Sequence, residues 1–439
     1  MSAPWPTRKL REIADIRVSN VDKKTYASEK PVRLCNYMDV YSNEYVTGQI
    51  NFMEASATQA EIDRFGLISG DVVITKDSET PDDIGIPTVI TEEIPGLVCG
   101  YHLAMIRPDV EQLDSIYLAK QLSTSRVTRY FSLHASGSTR YGLPIGSIES
   151  VEIPTPPKPE QTKIAEILST VDQAIEQTEA LIAKQQRLKT GLMQDLLTRG
   201  IDAHGNLRSE ATHQFKDSPL GRIPVEWEFT DFGQILSQSG GHIQTGPFGS
   251  QLHSHEYVSE GVPVVMPQDI NGGLISTLKI ARITESRANA LLRHRMRPGD
   301  LVFARRGDLS RCAVIHDSEE GWLCGTGCLL MRPPTKVLSP RWTAETYQFF
   351  TTQLQVEINA VGSTMPNLNT GILSSLRIAL PSITEQEQIE ERLGAAERDE
   401  THATSTLTKL RSLKTALMQD LLTGRKRVTP LLSEKEVEQ

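Results

Sequence analysis

No stretch of the 439 residues approaches 18 uncharged apolar positions in a row, so the sequence offers no membrane-spanning helix. The opening residues MSAPWPTRKLREIAD lack the apolar centre of a secretory signal. Cysteine is scarce: five, odd in number and scattered, which argues against a disulfide scaffold and for a reducing compartment. The expected setting is cytoplasmic, with no membrane partner. Cations are in the minority, 46 Lys and Arg against 55 Asp and Glu, for a net charge of −9. That balance speaks mildly against a large surface coating nucleic acid and leaves local patches to decide.

Catalytic signatures are also missing. There is no G-x-x-x-x-G-K-[ST] loop, so no P-loop ATPase is expected. There is no Asn/Asp-Pro-Pro-aromatic tetrapeptide of the methyltransferase kind. Thr155-Pro156-Pro157-Lys158 comes nearest but lacks both the amide or carboxylate and the ring. Cys324 and Cys328 have C-x₃-C spacing with Cys312 and His316 nearby, but they lie in apolar runs. Buried strand thiols are the better reading than zinc ligands. His253 and His255 sit two apart in a polar loop, and no nucleophile–base pair stands out. The expectation is a binding protein with no catalytic residues, metal or cofactor of its own.

What the chain does contain is itself, twice. Residues 188–200 read LKTGLMQDLLTRG and residues 413–425 read LKTALMQDLLTGR, with ten of 13 positions identical at an offset of 225. The same offset relates Glu160-Gln161 to Glu385-Gln386, Gly137-Ser138-Thr139 to Gly362-Ser363-Thr364, Leu143 to Leu368, Cys99-Gly100 to Cys324-Gly325 and Arg107-Pro108 to Arg332-Pro333. Further upstream the register slips: Gly70-Asp71 pairs with Gly299-Asp300, and Trp5 with Trp227. Two tandem halves share their C-terminal parts and diverge in their N-terminal parts.

Each half ends in a long predicted helix, from about Gln161 to Leu197 and from about Thr384 to Leu422. The first carries a near-heptad stripe including Ile164, Leu168, Val171, Ile182, Leu188 and Leu192. The second carries one including Ile389, Leu393, Leu407, Leu410 and Leu417. About 37 residues at 1.5 Å rise make a rod of roughly 55 Å, and pairing the two rods as an antiparallel coiled coil covers both stripes. The rest of each half reads as α/β. Strand-like runs include VRLCNYMDV, GDVVIT, IPTVI and GLVCGYHLAMI in the first half, and GVPVVMP, GDLVFA, CAVIH and GWLCGTGCLLM in the second. A helix is expected over about 113–131 and about 340–358, and a polar linker over about 202–223. The expected boundaries are globular parts at 1–154 and 217–379, long helices at 155–200 and 380–425, a linker at 201–216 and a polar tail at 426–439.

Cations concentrate in one place. Residues 291–311, LLRHRMRPGDLVFARRGDLSR, hold Arg293, Arg295, Arg297, Arg305, Arg306 and Arg311 against Asp300 and Asp308. Arg305-Arg306-Gly307 leaves a strand into a turn, where a guanidinium can reach the O6 and N7 of guanine. Lys76 is the matching position in the first half. Residues 240–254, GGHIQTGPFGSQLHS, add Gln244 and Gln251 as candidate adenine readers and backbone N–H groups for phosphate. A solvated, salt-bridged turn and a plain surface loop are the plainer readings of these two segments.

The motifs together resemble the specificity subunit of type I restriction–modification enzymes. The resemblance rests on Gly-Ser-Thr, a following Leu, a Pro-rich run ending in Glu-Gln, and a striped helix closing in Leu-Met-Gln-Asp-Leu-Leu-Thr, at 137–198 and again at 362–423. Trp5 and Ile223-Pro224-Val225-Glu226-Trp227 look like the starts of two target-recognition domains. The resemblance implies two α/β (α+β) target-recognition domains separated by an antiparallel two-helix coiled coil, related by a pseudo-two-fold. Each domain would read half of an interrupted double-stranded DNA site while the helices set the spacer. The expected DNA contacts are Lys76, Arg140, Tyr141, Gln244, Thr245, Phe248, Ser250, Gln268, Arg305, Arg306, Arg311 and Asn367. Two modification subunits would dock and methylate adenine with S-adenosylmethionine, and restriction subunits would bring ATP- and Mg-dependent chemistry. The competing reading is a repeat-built protein-interaction scaffold without DNA readout.

Overall fold

The computed structural model describes residues 4–360 and 366–432. Gly362-Ser363-Thr364, Met365 and the tail from residue 433 lie outside the described residues. The chain forms two compact units: Met1–Ala180 with Thr404–Gln439, and Leu181–Ala403.

In the first unit a five-stranded sheet runs Ala14–Val18, Leu103–Pro108, Val72–Thr75, Pro87–Ile90, Tyr45–Val46; only the last pair is parallel. A three-stranded sheet adds Met53–Ala57, Lys30–Cys35 and Leu97–Cys99, the last two parallel. Strand alternation sorts the core. Val72, Ile74, Ala104 and Ile106 face one apolar cluster with the helices, while Val73, Leu103 and Met105 face another with Leu34, Cys35 and Val98. The second unit repeats this logic. A four-stranded antiparallel sheet runs His242–Thr245, Cys328–Arg332, Leu301–Ala304, Cys312–Val314. Leu301 and Phe303 face the helical side, and Val302 and Ala304 face the smaller sheet that includes Val262–Val265 and Leu323–Cys324. All five cysteines are buried and free, and burial pushes their thiols up.

Several expectations change at this level. The run at 32–40 is not one strand: Asn36 and Asp39 form a capping box, and Tyr37–Tyr41 is a helix. The runs at 96–106 and 321–331 each hold two strands separated by a turn. The expected helix over 113–131 is broken into Ser115–Leu122 and Ser125–His134. There the hydroxyls of Ser123 and Thr124 donate to the carbonyls of Lys120 and Gln121 and close the first piece. Its counterpart breaks between Pro340–Gln348 and Phe350–Ala360, where extended Phe349 turns into the core. The 202–223 stretch is folded onto the second unit, with Arg208 buried against Glu385.

The long helices span Lys158–Thr198 and Ile383–Leu421. Within each unit the pieces run antiparallel. Arg411 meets Glu179 at 2.7 Å in the first unit. In the second, Lys189 meets Glu397 at 2.9 Å and Gln186 donates to Glu400 at 3.0 Å. The apolar stripe is shorter than the heptad reading required. Ile164, Leu168, Ile389 and Leu393 are fully buried, but inside the globular cores. Val171 and Leu407 are buried, Ile182, Leu192, Leu410 and Leu417 are half-buried, and Leu188 is 62% exposed. The opening turns of each helix floor a globular core, and a 3.6-residue helix drifts off a seven-residue stripe.

Two joints repeat almost atom for atom. Gln161 accepts from Asp114 N and donates to the Gln112 and Pro156 carbonyls. Gln386 accepts from Ser339 N and donates to those of Val337 and Pro381. Glu160 takes a two-pronged bond from Arg427, as Glu385 does from Arg208. The Glu-Gln pair of each repeat therefore fastens helix to globular part.

Candidate nucleic-acid interface

In the second unit the strand order places five loops at one end of the four-stranded sheet. Strand Leu301–Ala304 runs out into Arg305-Arg306, and Ala304 N bonds the Arg311 carbonyl at 3.0 Å, closing the 305–311 loop. Arg305 N bonds the Gly327 carbonyl at 2.8 Å, and the Arg305 carbonyl accepts from Leu368 N at 3.0 Å. Arg305 Nε also donates to Asn367 at 3.1 Å. Across the sheet, strand His242–Thr245 ends beside Cys328–Arg332. Gly246 packs so closely that a β-carbon there would lie 2.0 Å from the Gly325 oxygen. Thr326 donates to the Pro247 carbonyl, which holds the 245–252 loop against 325–327. Arg311 reaches the Pro267 and Ile270 carbonyls at 3.4 and 3.3 Å, joining exposed Gln268 to the same end.

Thr245, Phe248, Ser250, Gln268, Arg305, Arg306, Arg311 and Asn367 thus share one rim. Phe248 is 53% exposed, and Arg306 is exposed with no partner among the described residues. Two expectations are redrawn. The six arginines of 291–311 do not form one patch. Arg293, Arg295 and Arg297 precede the strand and Arg305, Arg306 and Arg311 follow it, so a strand of four residues, about 13 Å, separates the groups. Arg295 is spent on Glu285 and Asn289, and Asp300 is neutralised by Arg332 through two bonds of 2.7 and 2.6 Å. Gln244 lies mid-strand with its amide given to the Arg293 carbonyl at 2.5 Å, away from the rim. Gln251 is half-buried and closes its own loop by accepting from Phe248 N.

The first unit builds the same end with different chemistry. Lys76 occupies the backbone place of Arg305: its N bonds the His102 carbonyl and its carbonyl accepts from Leu143 N, both at 2.9 Å. Lys76 Nζ lies 3.0 Å from both carboxylate oxygens of Asp77, and Asp77 Oδ2 is also 2.8 Å from His102 Nδ1. Tyr141 pairs with Ser78 across a short ladder, and Arg140 is exposed at the adjoining turn. Sequence reasoning missed the aromatic part of this rim. Tyr101 meets His102 at a tilt of 41° with ring centroids 3.6 Å apart, and Tyr37 stacks on Tyr41 at 5.5 Å, with Met38 exposed between them. The usable signal was the Asn36–Asp39 capping box, which turns tyrosines four apart onto one helical face. Burial raises the Tyr37 phenol, with Ser78 opposing; Tyr41 is raised by its bond to Asp83. Among the described residues no cluster of His, Cys, Asp and Glu could hold a metal, and no helix is long and apolar enough to cross a membrane.

Two copies of one sheet, each ending in a loop rim with a cation at the same backbone place, define a duplicated recognition protein. A family model described as the type I restriction modification DNA specificity domain matches residues 3–185 and 254–410. The specificity subunit of the MjaVIII type I restriction enzyme of Methanocaldococcus jannaschii is 25% identical over 292 residues, 64% of this chain and 64% of that one. The putative MjaX specificity subunit of the same organism is 22% identical over 97% of this chain and 94% of that one. The crystal structure of a type I S subunit from M. genitalium shares the fold, with a TM-score of 0.59, 16% identity and coverage of 95% and 96%. The chain belongs to the type I restriction modification DNA specificity family, as a specificity subunit with two target-recognition domains.

Proposed function

We propose that this chain reads an interrupted DNA duplex, each rim meeting one half-site and the paired helices setting the gap. The heads are taken as residues 1–154 and 217–379, joined through helices at 155–200 and 380–425, with 201–216 as linker and 426–439 as tail. The observation that carries the reading is the equivalence of Lys76 and Arg305, one cation per head on matched backbone bonds. The chemistry at the two places differs, as it must if the halves of the site differ. Arg305 and Arg306 supply forked donors suited to guanine, whereas Lys76, Asp77 and His102 offer donors and an acceptor side by side.

Two modification subunits dock on this chain in the cytoplasm, holding S-adenosylmethionine and methylating adenine, and restriction subunits add the ATP- and Mg-dependent steps. They supply part of the DNA clamp, which accommodates a net charge of −9 on this subunit. Single-molecule methylation sequencing of a host carrying the system tests this. The wild type is expected to mark one bipartite sequence. Arg305→Ala or Arg306→Ala is expected to cost about 1–3 kcal/mol and relax one half-site. Uniform weakening over all sequences would assign those arginines to phosphates, and no sequence preference in the wild type would end the proposal.

A further inference from the structure

The second rim carries two leucines that the fold leaves in water. Strands Ile270–Asn271 and Leu274–Ile275 form a hairpin whose tip, Gly272-Gly273, has φ of +56° and +78°, conformations side-chain-bearing residues rarely adopt. Strand alternation turns Ile270 and Ile275 into the core, and Ile280 anchors the chain beyond. Between these anchors Leu274 is 63% exposed and Leu278 93% exposed, the highest value for a large apolar side chain among the described residues. The hairpin is tied down where it leaves the core. Ser276 N bonds the Asp269 carbonyl at 2.7 Å, and Arg311 holds the Ile270 and Pro267 carbonyls.

That last bond decides the partner. Arg311 belongs to the 305–311 loop, so the apolar tip is continuous with the cationic rim and Lys279 lies beside Leu278. The first head repeats the juxtaposition with other residues. Its Asn36–Asp39 box stands where Met266–Asp269 stands in the second head, after a strand with a parallel neighbour. There Met38 is 59% exposed and Tyr41 also stands out. Resting on the DNA reading above, we propose that Leu274 and Leu278 form an apolar wedge that enters a base step of the second half-site, beside the bases that Arg305 and Arg306 read. Leu and Met are side chains suited to partial unstacking of a duplex.

The test uses the chain assembled with its modification subunits and a duplex carrying the methylated site, with 2-aminopurine at successive positions of the second half-site. Wild-type complex is expected to raise the emission several-fold at one step. Leu274→Ser/Leu278→Ser is expected to remove most of that rise and weaken binding roughly tenfold, with assembly and melting unchanged, and Leu278→Met is expected to restore it. An unchanged emission in the double serine variant, or a loss of modification-subunit binding instead, overturns the wedge. Absence of site-selective binding by the wild type overturns the DNA reading itself.

Discussion

Glu345→Gln should stabilise the second unit above neutral pH and leave it unchanged in acid. Glu345 lies on helix Pro340–Gln348, where burial and the neighbouring Glu397 push its carboxyl up to about 7 while Lys189 and Arg341 oppose them and Glu390 adds to the rise. Glu397 is itself engaged by Lys189 and Arg341, so Glu345 is the carboxylate left to compete. A carboxyl raised in the folded state binds its proton more tightly there. Its contribution is therefore intact below the ordinary glutamate value of 4.5, falls as pH climbs to about 7, and is constant beyond. The full linkage is at most about 3 kcal/mol at 1.36 kcal/mol per tenfold change in proton concentration. Because the residue is only half-buried, we expect about 1–2 kcal/mol.

Glutamine keeps the shape and removes the charge, so the variant should melt higher than wild type by roughly 2–8 °C at pH 8 and at the same temperature as wild type at pH 5. Trp227, Trp322 and Trp342 all lie in the second unit and report its unfolding by fluorescence across pH 5–8. A variant weaker than wild type at both pH values, or a wild type that gains stability from pH 5 to 8 with the variant following it, would refute the argument. At the same offset Lys120 stands where Glu345 does, while Asp172 matches Glu397 and Lys414 matches Lys189, so one position of a shared joint reverses its charge between the halves.

Asp172→Asn should be far more damaging than Glu345→Gln. It leaves Lys120, which meets Asp172 at 2.5 Å, and Lys414, at 2.8 Å, with only the exposed Glu44 of the two carboxylates they share, a loss of about 3 kcal/mol; Lys120→Met/Asp172→Leu should recover much of it in urea unfolding. Burial would raise the Asp172 carboxyl, but Lys120, Lys414 and Tyr45 outweigh it and hold it low, so its contribution is present above about pH 4 and lost below. Gln386→Ala removes three bonds of 2.9 Å and strands buried backbone groups, which should cost about 3 kcal/mol and loosen the second long helix, measurable as faster amide exchange over 383–393.

Duplication and the two long helices were legible in the linear chain, because a repeat at offset 225 and a Pro-free striped segment are local properties. So was the place of Lys76 opposite Arg305, since each follows an apolar strand begun by Gly-Asp. The Tyr37–Tyr41 and Tyr101–His102 ring pairs were not, because their placement depends on which loops share a sheet end. Nor was the division of labour among the arginines. Arg305 and Arg306 are poised on the rim while Arg295 is consumed by exposed Glu285 and Arg332 by buried Asp300, and only strand direction and the placement of those carboxylates decide that. The helix stripe shows the same limit. Apolar periodicity says that a face is covered, but Ile164 and Ile389 are covered by globular cores, and no pattern along one helix names what lies on it. Sequence determined what was repeated and how far each helix runs; tertiary structure decided which side chains were left over for a ligand, because that depends on partners on other strands and loops, tens of residues away.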